Sequence, residues 1–144
     1  MFEAADRRES GWTFIETLIS IAIILILTGT VGFTSVRYLH SAKVAAARSQ
    51  IDTFSLALSS YLFDVGEYPS QEQGLAALWQ QPSPPPPGWS GPYIETPVPV
   101  DPWGRPYEYR VPGPSGLPFG IQTLGIDGLE GGEGNAKDIT SWDR

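Results

Sequence analysis

The sequence predicts an α+β fold: a long N-terminal helix, apolar in its first half and amphipathic in its second, packed against a small antiparallel sheet and followed by a C-terminal loop suited to a metal ion. Three observations predict it. An uncharged run of bilayer length stands near the start. An apolar stripe at helical spacing follows without a helix breaker. The last third carries short β-rich segments separated by turn residues.

The uncharged run extends from Thr17 to Val36, between Glu16 and Arg37. A helix of that length spans roughly 30 Å at about 1.5 Å per residue, the hydrocarbon thickness of a bilayer. It is too long for a secretory h-region, and no small-residue cleavage site follows it, so the reading is a retained transmembrane half over residues 12–36. Arg7 and Arg8 precede the span and Arg37, Lys43 and Arg48 follow it, so charge does not set its orientation. Glu16 at its mouth reads, from position alone, as a carboxylate held at the interface.

Beyond the span, Val44, Ala47, Ile51, Phe54, Leu58 and Tyr61 recur at alternating steps of three and four, which makes one face of a helix. That face is a packing surface for the globular part. Gly66 and Pro69 end the helix. Ser70 and Gln73 have the spacing of a capping box, which predicts a short helix over 71–80 turning Leu75, Leu78 and Trp79 to the core. The prolines of "QPSPPPPGWSGP" lack amide donors, so this stretch reads as a stiff spacer. "PYEYRV" (106–111) and "PFGIQTL" (118–124) read as strands, with "PYIE" from Pro92 a third candidate. Trp79, Trp89, Trp103, Tyr107 and Tyr109 are expected to fill the core of the head, residues 37–144.

"LGIDGLEGGEGNAKDITSW" (124–142) combines glycines with Asp127, Glu130, Glu133, Asn135 and Asp138. A loop with so little apolar surface is either solvated or tied down, and a hard cation taking six to eight oxygens is one tie. It lacks EF-hand spacing, and its charge excludes a phosphate loop.

Composition excludes several functions. Nine Lys plus Arg against sixteen Asp plus Glu leave a net charge of −7 and no basic stripe for nucleic acid. The absence of cysteine removes disulfides and thiolate metal sites, and a single histidine, His40, leaves a Ser-His-Asp triad or a two-histidine metal site almost nothing to work with. The chain is therefore not expected to be an enzyme.

"GWTFIETLISI" resembles the type IV prepilin processing site, in which a short leader ends in glycine and a glutamate stands five places into the mature chain. Together with "YPSQEQGLAALWQQP", "DPWGRPYEYR" and the glycine-acid loop, in that order, it resembles the major pseudopilins of bacterial type II secretion systems, from Gly11 to Trp142. Trp12 stands where relatives carry phenylalanine or methionine. The resemblance implies a leader at 1–11 and a prepilin peptidase that cuts between Gly11 and Trp12 and methylates the Trp12 amine. It implies a single-pass inner-membrane protein with a periplasmic head. It further implies a homopolymer, the pseudopilus, working with minor pseudopilins and an inner-membrane platform in protein secretion. Glu16 is then the assembly residue, meeting the Trp12 amine of a neighbouring subunit. Calcium is implied in the terminal loop, held by the Asp127 and Asp138 side chains and the Leu124 and Leu129 carbonyls, with Glu133, Asn135 and Ser141 as further ligands. The alternative is a pilin-like subunit for adhesion or DNA uptake, against which stand the missing cysteine loop and the missing basic face.

Overall fold

The computed structural model describes residues 9–143, with the side chains of residues 9–12 and 30–37 outside the described set. Most of the expected leader therefore lies outside it, as do the side chains of the last part of the expected membrane span. Two units are distinguished, Met1–Leu39 and His40–Arg144. One helix, α1, runs Glu9–Val65, 57 residues without interruption, as the lack of breakers predicts.

In the first unit the described side chains are those of residues 13–29, 38 and 39. The large apolar ones from Phe14 to Leu27 are exposed, by 49% at the least. Thr17 donates its hydroxyl to the Thr13 carbonyl at 2.7 Å, Ser20 to Glu16 at 2.8 Å and Thr28 to Ile24 at 2.7 Å, so these polar groups are satisfied by the helix itself. Among the described residues no helix is long and apolar enough to cross a membrane. The described apolar stretch stops at residue 29, short of the ~20 residues a bilayer needs.

In the second unit α1 buries Ala47, Ile51, Phe54, Ala57, Leu58 and Tyr61, with Val44 partly covered. This is the stripe read from spacing, with Ala57 added. Gly66 ends α1 at φ 89°, its amide donating to the Leu62 carbonyl at 2.8 Å.

The capping box forms: the Ser70 amide donates to Gln73 Oε1 at 2.9 Å, and the Gln73 amide to Ser70 Oγ at 3.3 Å. It does not start the α-helix expected over 71–80. Gly74 follows at φ 57°, a left-handed residue that an α-helix cannot absorb, and only a 3-10 segment, Gly74–Leu78, results. Leu75, Ala77 and Leu78 are buried, whereas Trp79 remains exposed, contrary to expectation.

The proline segment is not a free spacer. It returns onto the end of α1, where a side chain on Gly88 would stand 2.3 Å from the Asp64 carbonyl oxygen and where Ser90 Oγ donates to Asp64 Oδ2. Trp89 Nε1 donates to the Ala77 carbonyl at 3.1 Å. "PYIE" forms no strand, because the Tyr93 amide goes to the Leu78 carbonyl at 2.7 Å and its ring packs on Tyr61 and Trp89.

The sheet is antiparallel in the order β1 (Glu108–Arg110), β2 (Gly120–Thr123), β3 (Ile139–Thr140). Tyr109 faces Ile121 across β1 and β2, and Thr123 faces Ile139 across β2 and β3. The third strand thus comes from the terminal loop rather than from "PYIE". Tyr107, Tyr109, Ile121 and Ile139 join the buried face of α1 in one core, with Phe54 edge-on to Tyr107 at 5.2 Å between centroids.

Burial, and secondarily the neighbouring Asp101 carboxylate, push the Tyr107 phenol from 10.0 up to about 12. Burial also raises Tyr109, whose hydroxyl donates to the Pro69 carbonyl at 2.9 Å. Unfolded tyrosines ionise first, so the folded state binds more protons and stability falls as pH rises through the window between 10.0 and about 12. Melting temperature measured against pH should drop across that window, and Tyr107→Phe should flatten the drop. An equal slope in the variant would show that Tyr107 is not a source of the effect.

Candidate functional site

The two candidate sites lie at opposite ends of the sequence. Gly11 and Trp12 fall within α1, but their side chains are outside the described residues. Glu16 is described and exposed, one turn before Ser20, and among the described residues it has no ion-pair partner.

The terminal loop is tied down at both ends. On its first side the Gly128 amide donates to the Leu124 carbonyl at 3.2 Å, closing a turn over Gly125–Gly128. Asp127 Oδ1 accepts from the Leu129 amide at 3.2 Å, the local carboxylate-to-amide bond that aspartate supplies in turns. Leu124, Asp127 and Leu129 are thereby gathered in one short segment. On its second side Asp138 Oδ2 accepts from the Gly131 amide at 2.8 Å, while the Asp138 amide donates to the Gly131 carbonyl at 3.3 Å. A 3-10 turn, Gly134–Ala136, lies between them.

Asp138 Oδ1 is the outlying atom. It is buried and has no hydrogen-bond partner. A buried carboxylate oxygen left unpaired costs about 1–3 kcal/mol or more, and a bound cation would remove that cost. Among the described residues no three acidic or histidine side chains cluster as a metal site. The principal expected ligands are two carboxylates, Asp127 and Asp138, with the Leu124 and Leu129 carbonyls beside them, an all-oxygen donor set of the kind hard cations take. Glu133 and Asn135 are exposed, and no described contact brings their side chains to Asp127 or Asp138. Ser141 is occupied in the sheet, its Oγ accepting from the Ile121 amide at 3.1 Å and its amide donating to the Ile121 carbonyl at 2.8 Å. Lys137 pairs with Asp143 at 2.7 Å, and the hydrogen bond from its ammonium holds that carboxyl below the ordinary range.

Sequence reasoning missed the group beneath the loop. Asp101 is 3% exposed. Its Oδ1 accepts from the Trp103 and Arg105 amides at 2.9 and 2.8 Å, and its Oδ2 accepts from the Thr123 hydroxyl. Thr123 Oγ1 accepts in turn from the Gly125 amide at 3.3 Å. One fully bonded buried carboxylate thus joins the "DPWGR" turn, β2 and the start of the loop. Asp-Pro followed by Gly signals a turn, but not its partner on a distant strand. The Trp103 ring, weighed as core filling, stands 6.4 Å from His40, and its Nε1 is buried without a partner.

The family model described as "Type II secretion system (T2SS), protein G" matches residues 35–142. The type II secretion system core protein G of Pseudomonas aeruginosa is 41% identical over 139 residues, covering 95% of this chain and 97% of that protein. Its counterpart in Vibrio cholerae is 37% identical over 138 residues, covering 94% and 93%. In structure, the chain is similar to the major pseudopilin from the type 2 secretion system of enterohaemorrhagic Escherichia coli, with a TM-score of 0.60 and 32% identity over 71% of this chain and 88% of that one.

Proposed function

Because the chain belongs to the protein G family of type II secretion systems, we propose that it is a major pseudopilin, the structural subunit that polymerises into the periplasmic pseudopilus and drives protein secretion. The observation that carries this reading is near full-length similarity, 41% over 95% of the chain, to a core protein G. Its role is mechanical, and its partners are further copies of itself, minor pseudopilins and the inner-membrane platform.

In this reading prepilin peptidase removes residues 1–11 and methylates the Trp12 amine. Residues 12–36 anchor the subunit in the inner membrane, supported by the exposed apolar side chains from Phe14 to Leu27 and by hydroxyls that are satisfied within the helix. The head stands in the periplasm, and its terminal loop holds calcium through Asp127, Asp138 and the carbonyls of Leu124 and Leu129. The unpaired Asp138 Oδ1 supports that site. Bound there, the ion would crosslink the two halves of a loop that has little apolar surface of its own.

Disrupting the gene should leave folded secretory proteins in the periplasm, with release restored by the intact chain. Mass spectrometry of the native protein should find an N-terminus at methylated Trp12. Normal secretion from the disrupted strain would overturn the proposal.

A further inference from the structure

Arg105 leaves the "DPWGR" turn with its backbone fixed at both ends, its amide on Asp101 Oδ1 at 2.8 Å and its carbonyl accepting from the Asp101 amide at 2.7 Å. The guanidinium then crosses to the terminal loop. It donates to the Gly125 carbonyl through Nη1 and to the Ile126 carbonyl through Nη2, the latter at 3.3 Å. Gly128 permits this approach: a Cβ there would stand 2.5 Å from the guanidinium carbon. The same turn is held from its other side by the Gly125 amide on Thr123 Oγ1. Two consecutive carbonyls, 125 and 126, are thus committed to an internal cation, and the carbonyls assigned to calcium, 124 and 129, flank them.

The second half of the loop is exposed from Leu129 to Asn135 and is held by its own short turns and, at the surface, by the Arg110–Glu130 pair at 3.4 Å. Gly131 and Asp138 exchange two hydrogen bonds, and the unpaired oxygen lies there. We infer that Arg105 is a positioning residue which builds the Gly125–Gly128 half of the loop without an ion, so that calcium has only the Leu129–Asp138 half to order. The inference rests on the calcium reading for the second half and is independent of it for the first. Physically, a rigid fork of donors fixed at its base replaces the ordering entropy that binding would otherwise have to supply.

The test is amide hydrogen exchange on the full chain in detergent, in EGTA and in calcium, for wild type, Arg105→Ala and Arg105→Lys. In EGTA the wild-type segment 124–129 should exchange slowly and the segment 130–137 fast, with calcium slowing the second. Arg105→Ala should speed exchange of 124–129 in EGTA by about tenfold or more while amides of buried α1 stay unchanged, and should raise the calcium midpoint by about tenfold. Arg105→Lys, with one ammonium for two carbonyls, should fall between. Should the alanine variant lose protection throughout the head, the lysine variant decides. Equal exchange of 124–129 in EGTA in wild type and variant overturns the inference. Calcium without effect on 130–137 in wild type defeats the calcium reading alone, and the EGTA comparison still decides Arg105.

Discussion

Replacing Glu16 with leucine is expected to leave the chain in the membrane and to abolish filament formation. In the proposed membrane anchor the carboxylate would be costly, about 2.5–3.5 kcal/mol for an acid inside a bilayer on insertion scales. Leucine removes that cost, so insertion improves rather than suffers. What is lost is a partner. Among the described residues no cation pairs with Glu16. On the proposed processing, cleavage after Gly11 would create a cationic amine on Trp12, one helical turn away in sequence. On one helix that amine is already present whether or not subunits meet, whereas a neighbour's amine arrives only on assembly and neutralises both charges in a medium where their attraction is strong. On this proposal Glu16 would set the axial register between subunits. Glu16→Gln separates charge from hydrogen bonding and should also fail, because a neutral amide cannot compensate a buried ammonium. Membrane fractionation and electron microscopy of sheared filaments measure the two halves of this result. Filament yield at the wild-type level from Glu16→Leu would remove the proposed role.

The parts of this fold that could be read from sequence are those with a repeating physical cause. The face of α1 was legible because burial on a helix recurs at steps of three and four, and Ala47, Ile51, Phe54, Leu58 and Tyr61 are buried as the steps require. Gly66 was legible because a helix end needs a left-handed residue. β1 was legible from alternation and β-forming side chains, and β2 from a short segment of strand character set between turn residues. β3 was not, since Ile139–Thr140 is two residues long and sits among glycines and acids, where nothing alternates. "PYIE" misled for the converse reason: its composition suits a strand, but Tyr93 already gives its amide to Leu78.

The candidate loop divides the same way. Its oxygen-rich composition could be seen, and so could the possibility of a cation. The features that hold it could not, because Asp101 meets Thr123 across 22 residues and Arg105 meets Gly125 across 20. A buried aspartate in a turn has the same local signature as a solvated one. Only the tertiary structure shows that its two oxygens are consumed by three donors.

Phe54→Ala should be the most damaging single truncation in the head, and Phe63→Ala close to neutral for its stability. Both residues lie on α1 and both substitutions remove the same atoms. Phe54 is 0% exposed and Phe63 is 89% exposed. Phe54 meets Tyr107 edge-on at 5.2 Å and lies in the core shared with Leu58, Ile121 and Ile139. Its removal loses the transfer free energy of a buried ring and leaves a cavity, together about 3–5 kcal/mol. Against a total stability of roughly 5–15 kcal/mol, that is a large fraction. For a domain of this size it corresponds to a fall of roughly 12–40 °C in melting temperature. Phe63→Ala removes no buried contact, and its cost should stay within about 0.5 kcal/mol. Thermal unfolding of the full chain in detergent, followed by near-ultraviolet circular dichroism, compares the two directly. The consequence for function follows from the packing. The sheet that carries the terminal loop reaches α1 through this core, so a loosened Phe54 site uncouples the loop from the second half of α1. A melting temperature lowered more by Phe63→Ala than by Phe54→Ala would mean that the helix packs through a face other than the one described.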